Sequence, residues 1–90
     1  MARAVIGQLE RAAIERLDTE VALSRAAMTA GGNAVQEREI LQTWTDYYVA
    51  AIATTSDIET GGSSPRTTSA IHTARERVRV AGAERVALIR

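Results

Sequence analysis

Cysteine is absent from this 90-residue chain, and so are lysine and phenylalanine. Without cysteine no disulfide can staple a small fold, and the common zinc arrangements lose their thiolates. The single histidine, His72, assembles no site alone, so neither metal nor cofactor is expected. Without lysine every basic side chain is an arginine. That usage is common in proteins of GC-rich genomes, and it also suits bidentate ion pairs at protein interfaces. With Trp44, Tyr47 and Tyr48 as the only aromatics, large core-filling side chains are scarce. No apolar run approaches the roughly 18–20 residues that span a bilayer. The opening stretch Met1 to Gly7 meets Glu10 and Arg11 before a secretory apolar core can form. A soluble chain is expected, in the cytoplasm or within a protein assembly, with no membrane partner.

Alanine is what the chain has in abundance, at 17 residues. Alanine is the strongest helix former and lets helices approach closely, yet each one buries little area. A chain of this length buries only about 60–65% of the surface its unfolded form exposes. Helix propensity is therefore high and core volume thin, and a second copy or another protein subunit is the remaining supplement.

Two glycine-bearing breaks, Ala30-Gly31-Gly32-Asn33 and Thr60-Gly61-Gly62-Ser63-Ser64-Pro65, divide one domain into three segments. The first, residues 4–29, carries Ile6, Leu9, Ala13, Leu17, Val21 and Met28 at helical steps with one turn skipped. Arg11 with Glu15 and Arg16 with Glu20 are i,i+4 partners on its other side. Asn33 is placed as the N-cap of a second helix over 34–58, with Gln36 in capping-box position and Glu37 in the first turn. Its stripe is Ile40, Leu41, Trp44, Tyr47, Tyr48, Ala51, Ile52, Thr55 and Ile58. The short connection implies an antiparallel hairpin of two helices about 36–39 Å long.

After a linker at 60–65, the element at 66–90 admits two readings. Ser64 as N-cap, Pro65 at N1, and Ile71, Ala74, Val78, Ala81 and Leu88 on one face make a third helix. The alternation Arg77-Val78-Arg79-Val80, a turn at Ala81-Gly82-Ala83-Glu84 and a return through Arg85 to Ile89 make a small β-hairpin instead. The fold class is thus all-α, a helical hairpin plus a third C-terminal helix, or α+β with a short C-terminal hairpin.

Charge is divided along the chain. Residues 1–62 hold five arginines against nine acids; residues 63–90 hold six arginines against Glu76 and Glu84. A basic C-terminal segment packing on an acidic surface, its own hairpin's or a neighbour's, fits that asymmetry. The basic set Arg66, Arg75, Arg77, Arg79 and Arg85 is also the candidate for phosphate contact. No aromatic stands near it to stack a base, and a helix would put Arg77 nearly opposite Arg75 and Arg79.

Leu41, Trp44, Tyr47, Tyr48 and Ile52 are the candidate protein interface, because tyrosine and tryptophan bury area while keeping a polar handle. The long helix bearing Arg11 and Arg25, the break, and then Gln36-Glu37-Arg38-Glu39-Ile40-Leu41 resembles the small all-helical chorismate mutases. That resemblance implies a pocket for a dianionic substrate lined by Arg11, Arg25 and Arg38. The chain departs from it in having no lysine, and no serine or glutamine after Ser69. Elsewhere there is no catalytic motif. The reading that gathers most of these features is a structural or adaptor subunit, of virion or secretion type, working through protein contacts. A nucleic-acid-binding module and a small helical enzyme are its alternatives.

Overall fold

The computed structural model describes residues 2–59 and 65–90, without the side chains of residues 2, 3 and 56–59. It is all-helical: α1 spans Ala2–Thr29, α2 Ala34–Glu59 and α3 Pro65–Val86. Each helix packs on both others, in a bundle 48 × 15 × 14 Å. Residues 60–64 of the linker expected at 60–65, with the Ser64 cap, lie outside the described residues, as does the side chain of Ile58, and Pro65 already belongs to α3.

The α1–α2 turn has a local cause. Gly31 takes a φ of 93°, and its N–H reaches the Met28 carbonyl at 3.1 Å while Gly32 N–H reaches that of Ala27 at 2.8 Å. These are the paired bonds of a Schellman cap with glycine in the left-handed position. Asn33 caps the next helix, accepting the Gln36 N–H on Oδ1 at 3.1 Å.

The C-terminal β-hairpin does not form: helix continues through Val86, and Leu88 and Ile89 then turn back on Arg85 and Val86. The apparent strand alternation arises because Val78 faces the core while Val80 is 56% exposed. Gly82 is no turn. A Cβ there would stand 2.2 Å from Thr45 Oγ1 and 2.6 Å from its Cγ2, so the glycine lets α3 lie directly against α2.

The core runs as two clusters along the bundle. Ile6, Ala13, Val49, Ile52, Ile71, Ala74 and Val78 form one; Leu17, Val21, Leu41, Ala81 and Ile89 form the other. Ile89 is held there by its own carbonyl, which accepts from Arg38 Nη1 at 2.9 Å. The expected α1 stripe is buried or partly buried throughout, and its skipped turn is filled by Ser24, which is 1% exposed. On α2 the buried line is Leu41, Thr45, Val49, Ile52 and Thr55. That line is rotated from the expected one, away from Ile40 and Tyr47, because the close approach of Gly82 draws Thr45 inward.

Candidate functional site

Rotation of α2 leaves an apolar strip along the outer side of the α1–α2 pair. The five expected interface residues divide there. Leu41 and Ile52 are 0% exposed and belong to the chain's own core, so they offer nothing to another chain. Trp44 and Tyr48 are half-buried, each resting one side on a core cluster. Tyr47 is 60% exposed. The three rings touch one another: Tyr47 meets Trp44 edge-on at 5.9 Å and Tyr48 edge-on at 5.2 Å between centroids.

Across the groove, Arg16 of α1 lies over the Trp44 ring at 4.3 Å and pairs with Glu20 at 3.5 Å. Ala12, Glu15, Arg16, Thr19 and Tyr48 line a shallow groove of 390 Å³ beside it. Antiparallel pairing extends the strip toward the hairpin turn. Leu23, two turns beyond Arg16, is 58% exposed, and Ile40, one turn before Trp44, is 37% exposed. Sequence periodicity did not single out Leu23, which falls outside the core stripe; an exposed leucine on the α2-facing side of α1 is visible only once α2 is in place. Val35, Val80 and Leu88 are exposed elsewhere.

The basic residues do not form one surface. Arg77 pairs with Glu10 of α1 at 3.5 Å, Arg85 with Asp18 of α1 at 2.8 Å, and Arg79 with Glu76 on its own helix. Two of the five thus bind α3 to the acidic hairpin, as the divided charge anticipates. Arg66 is exposed and lines a 680 Å³ groove between α1 and α3 with Ile6, Glu10, Ser69, Thr73 and Arg77. Arg75 is half-buried, and its Nε is enclosed without a hydrogen-bond partner among the described residues.

Of the arginines of the chorismate-mutase resemblance, Arg25 lines a groove of 390 Å³ with Leu88, Ile89 and Arg90, near the carbonyl that Arg38 engages, while Arg11 stands away from it. Arg11 and Arg25 are exposed and about 21 Å distant along α1, and Arg38 is turned to the Ile89 carbonyl. His72 is exposed, and no group of three acidic or histidine side chains fit to hold a metal occurs among the described residues. No described helix is long and apolar enough to cross a membrane. The chain matches no protein-family model, no curated protein and no solved structure.

Proposed function

We propose that this chain is a small structural or adaptor subunit, working by protein contact in the cytoplasm or within a larger assembly. The observation that carries this reading is the strip of Leu23, Ile40, Trp44 and Tyr47. Three of these four are more than a third exposed although the helices close a core behind them. Scattered exposed apolar residues are ordinary, whereas an aligned, aromatic-centred group is the composition of a contact surface. Tyrosine and tryptophan at its centre fit the role of anchors, and Arg16 held over Trp44 offers a flat, pre-ordered platform. The inter-helix pairs at Arg77 and Arg85 weigh against the nucleic-acid alternative, since cations already matched to carboxylates neutralise fewer phosphates.

The test is the native mass of the chain in extracts of the cells that produce it. Wild type is expected to elute above its 9.7 kDa, and the double substitution Leu23→Glu with Tyr47→Glu to return it to the monomer position. Elution of the wild type as a monomer refutes the reading, as does a complex indifferent to both substitutions.

A further inference from the structure

Resting on the protein-contact reading, we infer that the strip receives an amphipathic helix of another protein, its apolar stripe flanked by arginine or lysine. The strip is short and two-walled. Its exposed side chains are Leu23 from α1 and Ile40 and Tyr47 from α2, and Ile40 to Tyr47 covers about 10 Å of helix axis. A groove between two helices with apolar side chains on both walls is filled by a third helix presenting anchors one and two turns apart. The chain already uses this arrangement on the other side of the same pair. There α3 buries Ile71, Ala74, Val78 and Ala81, while its flanking Arg77 and Arg85 pair with Glu10 and Asp18 of α1. A basic helix on the outer side repeats that contact and completes a four-helix packing.

Charge selects the partner's sign. Residues 1–62 hold five arginines against nine acids, and α3 matches only Glu10 and Asp18 of those acids. Beside the strip, Arg16 is already matched to Glu20 and laid on the Trp44 ring. Two further glutamates are not matched. Glu15 lines the groove with Tyr48. Glu37 is half-buried and stands two turns before Trp44, on the same side of α2. Neither carboxylate has an ion pair or hydrogen bond among the described residues. They mark the two ends of the strip, because Glu37 and Tyr48 are about 16 Å apart along α2. A partner helix lying in the groove meets both with cations about eleven residues apart, whereas acids at those positions are repelled.

The experiment titrates the purified chain against two labelled model helices of about five turns, roughly 18 residues, read by fluorescence anisotropy. Both carry the same leucine stripe; one has arginines eleven residues apart beside it, the other glutamates at the same positions. The arginine helix is expected to bind about tenfold tighter, as two partly exposed ion pairs allow. Glu15→Gln with Glu37→Gln is expected to remove most of that difference, and Glu39→Gln to leave it unchanged. Tyr47→Ala is expected to weaken binding of the arginine helix about tenfold, and Val80→Ser on α3 to have no effect. Circular dichroism confirms that each variant remains helical. Equal affinity for the two helices, or a difference that survives loss of both glutamates, overturns the basic partner and leaves the strip standing as a contact surface. Binding indifferent to Tyr47→Ala overturns both. Binding of neither helix overturns the helical partner, and a wild type that then sediments at twice 9.7 kDa replaces it with a second copy.

Discussion

Gly82→Ala is the substitution whose outcome depends most sharply on how α3 meets α2. In an unobstructed helix interior, alanine stabilises by about 1 kcal/mol relative to glycine. Here the new methyl stands 2.2 Å from Thr45 Oγ1, 2.6 Å from Cγ2 and 2.9 Å from Cβ. Thr45 cannot swing away cheaply, because it is 2% exposed and its hydroxyl donates to the Leu41 carbonyl at 2.9 Å. Overpacking of this kind costs about 1–3 kcal/mol, and a lost buried hydrogen bond about 1 kcal/mol more. Set against the propensity gain, the net is a destabilisation of about 2 kcal/mol. For a domain this size that lowers Tm by about 10 °C, read by thermal melts at one fixed protein concentration. Thr45→Ala removes both of the closest atoms, so the double variant is expected to lose less than the two single variants together, with a coupling of about 1 kcal/mol. A Gly82→Ala protein that melts higher than wild type, or costs that simply add, refutes the close α2–α3 approach.

Five further substitutions test the rest of the frame. Gly31→Ala meets nothing within 4 Å, so its cost is the left-handed backbone alone, about 1 kcal/mol in a denaturant titration. Ile89→Ala empties a 3% exposed site and is expected to cost about 2 kcal/mol, while Arg38→Ala frees the same tail and raises its amide exchange. Arg77→Gln and Arg85→Gln remove inter-helix pairs whose partners are partly exposed. Each is expected to shift stability by less than about 1 kcal/mol, an effect that fades with added salt.

Much of the frame was legible in residue order because its causes are local. Gly31 and Asn33 mark the turn by conformational preference and capping chemistry, and α1 repeats apolar residues with the helical period. Two things were not local. The helix through residues 77–86 competes with a strand-like alternation, and the choice is made by burial of Val78 and Ala81 against the other two helices. Likewise, helical spacing placed Tyr47 on the apolar stripe of α2. Packing instead turned Thr45 and Val49 inward, since a glycine on a different helix lets the backbones close at that level. The candidate surface follows from that rotation: Trp44, Tyr47 and Tyr48 are evident from spacing, whereas Leu23 joins them only through the antiparallel register, and Leu41 and Ile52 drop out into the core.

Tyr47 is the most exposed side chain of the strip, so what it meets in the cell reports directly on whether another protein covers that face. A photoreactive residue at position 47 is expected to give an adduct of higher mass in the cells that produce the chain, and Leu23→Glu to diminish it. An adduct yield no greater than that from a photoreactive residue at position 80 contradicts the assignment of this face to protein contact.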